Sequence, residues 1–223
     1  MSAEAVAVPA AARLRITETF LSLQGEADAV GWPSFFIRLT GCPLRCHYCD
    51  TAYAFEGGEW RTLAALLDEA HASGARHVCV TGGEPLAQKR CIELLVLLCD
   101  AGFATSLETS GAIDASEVDP RVARVIDVKT PGSGESQRNL DLGQQRLRPG
   151  DQLKFVICDR ADYEWARERV RREGLGAPCP VLFSPSWLQL PARELADWIL
   201  ADRLPVRFQV QLHKVLWGDV PGR

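Results

Sequence analysis

The sequence predicts an α/β fold: an incomplete, TIM-like β/α barrel of about six parallel strands. Three observations lead there. Short apolar, strand-like runs alternate with stretches of helical period, the pattern of a parallel sheet covered by helices. The chain has 223 residues, fewer than the roughly 250 of a closed eight-fold barrel, and a tail and long loops take up part of that length. The segment after each strand is rich in Gly, Ser, Thr or Pro, and in such folds the loops at the C-terminal strand ends carry the chemistry.

In chain order, residues 1–12 are small and apolar, but Glu4 and Pro9 interrupt them and no basic leading region precedes them. A short disordered extension is expected there rather than a signal peptide, leaving 13–223 as one domain. "RITETFLSLQGE" and "PSFFIRLTG" read as strands flanking a Gly-containing turn. "RTLAALLDEAHASG" carries apolar residues at 63, 66, 67 and 70 before a Gly stop, which is an amphipathic helix. "HVCVTGGEP" is a short buried strand ending in a turn, "KRCIELLVLLCDAG" a helix and "FATSLETSG" a strand. "VARVIDVKTPGSG" is a strand with a long loop, and "QLKFVIC" another strand. "DRADYEWARERVRREG" is a helix with Asp159 and Asp162 as N-terminal caps and Gly174 as its stop. "CPVLFSPS", the helix "ARELADWILAD" and a last strand, "VRFQVQLHK", complete the chain. The loops "GCPLRCHYCDT", "TGGEP", "ETSG", "KTPGSGES" and "SPSW" should therefore share one mouth.

Composition narrows the function classes. With 47% hydrophobic residues the chain can bury a core, and 25 Lys and Arg against 29 Asp and Glu leave a formal charge of -4. No basic field is available for direct nucleic-acid binding. No apolar run approaches the roughly 18 residues of a membrane span. Of the eight cysteines, Cys79, Cys91, Cys99, Cys158 and Cys179 sit singly in apolar stretches, where reduced Cys behaves as a small core residue, a usage that fits a reducing cytoplasm.

Cys42, Cys46 and Cys49 fall within eight positions of "GCPLRCHYCDTAYAF". Structural zinc wants four ligands, commonly two Cys-x-x-Cys or Cys/His pairs. No second pair exists here: His47 adjoins Cys46, and His71, His77 and His213 lie in different elements. A 4Fe-4S cluster held by three thiolates instead leaves one iron open, and an amino acid's amino and carboxylate groups can chelate it.

Cys42-Pro-Leu-Arg-Cys46-His-Tyr-Cys49 resembles the Cys-x3-Cys-x2-Cys signature of the radical S-adenosylmethionine (SAM) enzymes. The resemblance implies that the methionine end of SAM takes the open iron. It also implies that the reduced cluster splits SAM into methionine and a 5′-deoxyadenosyl radical that abstracts a substrate hydrogen. "GGEP" one strand later is similar to that family's SAM-binding turn: Gly82 and Gly83 let backbone approach a ligand, and Glu84 accepts a hydrogen bond from the methionyl ammonium. "FLSLQGE" through "CDTAYAF", with "ETSG", "DVKTPGSGE" and "VQLHK", resembles the 7-carboxy-7-deazaguanine synthase family of queuosine biosynthesis, from about Ile16 to His213. That implies a radical SAM core, a lyase activity, and ring contraction of 6-carboxy-5,6,7,8-tetrahydropterin with loss of ammonia. The abstracted hydrogen is returned, so SAM is regenerated, and Mg2+ assists.

The same resemblance implies site residues. Leu23, Gln24 and Gly25 fall in the substrate-binding segment, and an amide suits a pterin edge. The Arg38 guanidinium pairs with the substrate carboxylate, with a strand-end ion pair as the alternative. Thr51 offers its hydroxyl to Mg2+, with an N-cap or turn role beside it. Tyr48, Cys49 and Asp50 lie in the segment that meets the adenosyl part, while Asp50 alternatively anchors the loop through backbone amides. Thr109 falls at substrate and Gly111 at SAM. Asp127, Val128 and Lys129, with Ser184, Pro185 and Ser186, fall near the remaining SAM contacts. "QLHK" matches an ending that closes over the pterin, leaving His213 either at the substrate or within the last strand; the continuation "VLWGDVPGR" puts a terminal contact such as Pro221 in question. A flavodoxin-like or other electron donor and a homodimer are the implied partners. Two rivals remain: a glycyl-radical activating enzyme and a zinc-stabilised binding module without catalysis.

Overall fold

The computed structural model describes residues 12–223. Residues 1–11 of the predicted extension lie outside the described residues. Ala12 is buried, and its carbonyl accepts a 3.1 Å hydrogen bond from Leu63 N, so it is part of the folded unit.

One nine-stranded sheet organises the molecule, in the order β3-β1-β2-β4-β5-β6-β7-β8-β9. The strands are β1 (Arg13–Leu23), β2 (Pro33–Leu39), β3 (Glu59–Thr62), β4 (His77–Gly82), β5 (Ala104–Thr109), β6 (Ala123–Asp127), β7 (Gln152–Ile157), β8 (Val181–Pro185) and β9 (Arg207–Phe208). β1 pairs antiparallel with β2 and with β3, whereas every neighbouring pair from β2 through β4 to β9 is parallel. Since β9 has only two residues, the parallel part amounts to six strands of full length, as expected. The helices are α1 (Leu63–Ala72), α2 (Cys91–Asp100), α3 (Arg160–Glu173), α4 (Ala192–Asp202) and α5 (Leu212–Trp217).

Side chains alternate across the strands, and the two faces have different chemistry. Val78, Val80, Leu107, Leu153, Phe155, Val181 and Phe183 join the helices in two apolar clusters, one toward the N-terminal half and one toward the C-terminal half. Their neighbours Arg38, Thr81, Glu108, Asp127 and Lys154 point to the other face and line an interior cavity. The helix side thus supplies the core and the inner side the site.

The open edge is closed by a loop. Between β1 and β2, Ala27 N donates to Gln209 Oε1 (3.0 Å), Gly25 O accepts from Leu212 N (3.0 Å), and Asp28 pairs with Arg207 (2.5 Å).

Three local expectations are corrected. "VRFQVQLHK" is a strand only at Arg207–Phe208, and Leu212–Trp217 is helical; Gln209 N makes a last bond to Phe183 O on β8, after which Leu212 N bonds Gly25 O in the 24–28 loop, and the apolar residues 212, 215 and 216 have helical spacing. Asp159 caps α3 by accepting from Asp162 N (2.9 Å), but the Asp162 carboxylate turns inward to other partners. β3, an edge strand ahead of α1, was not expected.

Candidate active site

The loops after β2, β4, β5, β6 and β8 meet at one cavity of about 460 Å³, within the roughly 300–1,000 Å³ of small-molecule sites. The chain leaves β2 through Gly41, whose φ of +98° favours glycine. The cysteine loop then folds back on itself: Cys49 N donates to Cys46 O (3.2 Å), and Arg45 Nη1 to Cys42 O (2.8 Å). Cys42, Cys46 and Cys49 all line the cavity as half-buried free thiols. Burial pushes the Cys46 thiol up to about 11, opposed by Lys129 and reinforced by Asp127 and the other two thiols; Cys42 is raised for the same leading reason. At neutral pH such thiols are protonated, and binding a metal releases those protons. Among the described residues no three His, Cys, Asp or Glu side chains converge tightly enough for a single metal ion, whereas a cluster takes each thiolate on a different iron.

Gly82 and Gly83 also line the cavity, and neither could be another residue without displacement. A Cβ on Gly82 would lie 2.4 Å from Leu39 O, and one on Gly83 would lie 2.3 Å from Gly41 O. Glu84, expected to meet the methionyl ammonium, does not face the cavity. Its carboxylate is fully buried and accepts from Thr109 Oγ1 (2.9 Å), Ser110 N (2.6 Å), Ser110 Oγ (2.5 Å) and Leu86 N (2.9 Å). It joins the loops after β4 and β5, while Gly82 and Gly83 remain on the cavity wall.

Arg38, which also lines the cavity, and Glu18 are register partners across β1 and β2, and Arg38 Nε donates to Glu18 Oε1 (2.7 Å). The guanidinium also lies 5.7 Å from the Phe20 ring centroid and 5.9 Å from that of Tyr53. The ion pair considered as its alternative role is therefore present, yet it occupies one edge of the fork while the residue still lines the cavity. Leu23, Gln24 and Thr109 line it as well, and Gln24 Nε2 lies 3.4 Å from Glu108 Oε1. Thr51 lines it too and makes no side-chain cap; its hydroxyl is 3.8 Å from Cys49 Sγ. Asp50 anchors the loop through Lys214 Nζ (2.6 Å), not through backbone amides.

Tyr48, Asp127, Lys129 and Ser186 line the cavity as expected. Burial opposes the Lys129 charge, but Asp127 (2.8 Å) and the Cys46 thiol outweigh it and hold the ammonium above its ordinary value. Five further predicted contacts do not line the cavity. Gly25 packs under His213, where a Cβ would lie 2.0 Å from Nδ1, and Gly111 makes a left-handed turn (φ +73°) after β5. Val128 and Ser184 are buried at strand ends and Pro185 ends β8. His213 lines the cavity from α5, where burial lowers its pKa.

Among the cavity residues that the sequence reading did not assign are the charged Glu26, Glu108, Lys154 and Lys214. Lys154 Nζ bonds Glu26 Oε2 (2.8 Å) and lies 3.9 Å from Asp127 Oδ2. Burial raises the Glu108 carboxyl, with Lys154 opposing and Glu26 adding to it. A charge inside a strand, as in "SLETS" and "QLKFVIC", was the available signal, because an unpaired charge is costly on a buried strand.

A model of the Radical SAM superfamily matches residues 36–129, a segment that contains the cysteine loop, both glycines and Lys129. A curated relative named 7-carboxy-7-deazaguanine synthase, from Chlorobaculum tepidum, is 43% identical over 210 residues, covering 93% of this chain and 96% of its own. The chain belongs to the 7-carboxy-7-deazaguanine synthase family. A second synthase of that name, from Koribacter versatilis, is 40% identical over 92% of this chain and 97% of its own. The crystal structure of QueE from Escherichia coli superposes with a TM-score of 0.74 at 27% identity, over 90% of this chain and 95% of that one. Streptococcus suis SuiB, solved bound to S-adenosylmethionine, shares the fold at 15% identity and a TM-score of 0.52. As a member of the synthase family the chain is a radical SAM lyase whose cofactors are a 4Fe-4S cluster, SAM and Mg2+. The residues present fit that set: three free thiols on one loop, glycines that leave room only for backbone, and a Tyr48 hydroxyl and an Asp127 Oδ1 buried without a partner.

Proposed function

We propose that the chain converts 6-carboxy-5,6,7,8-tetrahydropterin to 7-carboxy-7-deazaguanine with loss of ammonia, a step of queuosine biosynthesis. The observation that carries this reading is the shared cavity: three cluster-type thiols line it together with Arg38, Gln24 and Thr109. When bound, the cluster and SAM supply reversible hydrogen-atom abstraction. The chain's own residues do the rest. Cys42, Cys46 and Cys49 ligate the cluster, and the backbone of Gly82 and Gly83, with Tyr48, Asp127, Lys129 and Ser186, holds SAM. The outward edge of the Arg38 fork takes the substrate carboxylate, Gln24 and Thr109 take the ring edge, and Thr51 offers a hard oxygen to Mg2+. Loss of ammonia requires a proton on the departing nitrogen, and Glu108, whose carboxyl is raised above its ordinary value by burial against the opposing charge of Lys154, lies on the cavity wall as the candidate donor.

Residues 13–223 work as one domain, reduced by a flavodoxin-like or other electron donor and paired as a homodimer. Among the described residues no helix is long and apolar enough to cross a membrane. All eight cysteines are free, the state that a reducing cytoplasm maintains.

The test is anaerobic incubation with SAM, a reductant and the carboxytetrahydropterin. The expected result is brown protein with about four irons per chain and formation of the deazaguanine. Deoxyadenosine release without that product would keep the superfamily and remove the substrate, and colourless protein would favour the zinc module instead.

A further inference from the structure

The loop after β6, "TPGSGE" at 130–135, lies between two elements that no cofactor contact explains. On one side it is gripped by Asp162, in the first turn of α3 and 1% exposed. Asp162 Oδ1 accepts from Gly132 N (2.7 Å), while Oδ2 accepts from Cys158 N (3.1 Å) and lies 2.9 Å from the Thr130 hydroxyl. The approach is so close that a Cβ on Gly132 would lie 2.5 Å from Oδ2. On its other side the loop holds the cysteine loop. His47 N, next in the chain to Cys46, donates to Ser133 O (3.0 Å), and Arg45 N donates to Glu135 Oε1 (2.5 Å). Gly134, at φ +77°, sits under the His47 ring, where a Cβ would lie 2.8 Å from Cε1.

From this arrangement we infer that Asp162 is a positioning residue for the cluster: through the 130–135 loop it fixes the peptide that follows Cys46, and with it the middle thiol of the three. The inference rests on Cys42, Cys46 and Cys49 being cluster ligands. Both Asp162 oxygens face donors, so the isosteric amide of Asn must turn its own N–H groups against a backbone N–H or the Thr130 hydroxyl. The cap that starts α3 is a separate group, Asp159. The cap bonds the Asp162 backbone and the grip uses its side chain, so the two can be removed by separate substitutions.

The experiment compares wild type, Asp162→Asn, Thr130→Val and Asp159→Ala. In cluster-free protein, amide hydrogen exchange is followed in the 45–49 segment; in anaerobically reconstituted protein, the loss of visible absorbance to an iron chelator is timed. Asp162→Asn should expose the 45–49 amides and speed iron release by about tenfold or more, the scale on which groups that support metal ligands act. Thr130→Val, which removes one side of the grip and leaves α3 intact, should move both readouts the same way by less. Asp159→Ala should lower the melting temperature and leave both unchanged. Wild-type behaviour in Asp162→Asn and Thr130→Val, or an equal response in Asp159→Ala, would overturn the inference. A wild-type protein that takes up no iron would instead overturn the cluster reading, and the exchange measurement would still decide whether Asp162 orders the loop.

Discussion

Glu108 and Glu84 show how alike two carboxylates look in a sequence and how differently a fold uses them. Glu84 follows the Gly82-Gly83 turn and receives hydrogen bonds on both oxygens from partners about 25 residues away, whereas Glu108, inside β5, faces the cavity with few donors. A sequence places each charge at or near a strand end without showing which distant donors reach it, so the expected Glu84 contact is not on the cavity wall and Glu108 is. Burial raises the Glu108 pKa above its ordinary 4.5, which sets the sign of its linkage to stability. Below about 4.5 the carboxyl is protonated in both folded and unfolded chains and contributes no pH dependence. As pH rises through the folded value the unfolded chain loses its proton first, so stability falls. Glu108→Gln should accordingly be more stable than wild type at about pH 8, with the gain vanishing near pH 4. Urea unfolding at the two pH values measures this; a gain that is equal at both, or larger in acid, would count against it. Product formation should fall in the same variant, because an amide cannot give a proton to departing ammonia.

At the scale of elements, the amphipathic helices and central strands are legible because their periods repeat, and Asp159 and Gly174 do cap and stop α3 as the sequence suggests. The C-terminal segment is not. Its alternating "RFQVQ" reads as a strand, but a strand requires a partner: pairing with β8 ends at the Gln209 N bond to Phe183 O, and the 24–28 loop then takes the Gln209 side chain and Leu212 N. The chain turns there into α5, which delivers Lys214 to Asp50 (2.6 Å) and Asp219 (3.4 Å). Burial works against the Asp50 charge, yet Lys214 outweighs it and holds the carboxyl below its ordinary 3.8. The contribution of this carboxylate is therefore full above 3.8 and is lost as pH falls through the lower folded value. Lys214→Met should cost roughly 1–3 kcal/mol at neutral pH, less than a fully buried pair because a third of the Asp50 side chain is exposed. The penalty should shrink in acid, and because Asp50 adjoins Cys49 the loss should also show in cluster content. Calorimetry at pH 7 and pH 3, with iron analysis, separates these outcomes.

Across the whole molecule, the two apolar clusters lie on the helix side of one sheet, and the inner side is charged, so neither half is held to the other by a common hydrophobic centre. The bridge between them must be the sheet itself and groups at its midpoint. Arg124, on β6 between the two clusters, is fully buried and pairs with Asp151 Oδ2 (2.5 Å) and Oδ1 (2.9 Å). Its remaining donors reach Ala115 O (2.6 Å), Gln145 O (3.0 Å) and Arg146 O (3.0 Å). One guanidinium thus ties the long loop before β6 to the loop before β7, where no helix covers the sheet between β5 and β6. No sequence pattern announced this, because every acceptor is a backbone carbonyl or lies 27 residues away. Arg124→Met keeps the apolar bulk but leaves the buried Asp151 with only the Arg148 N–H (2.6 Å) and the more distant Arg148 Nε (3.8 Å), so the cost falls toward the lower end of the about 3–5 kcal/mol of a broken buried pair. Since β6 joins the halves, the loss should appear as one cooperative transition at lower urea, with iron content at low denaturant unchanged. A variant that unfolds in two resolved steps, or with wild-type stability, would show that the sheet alone couples the two clusters.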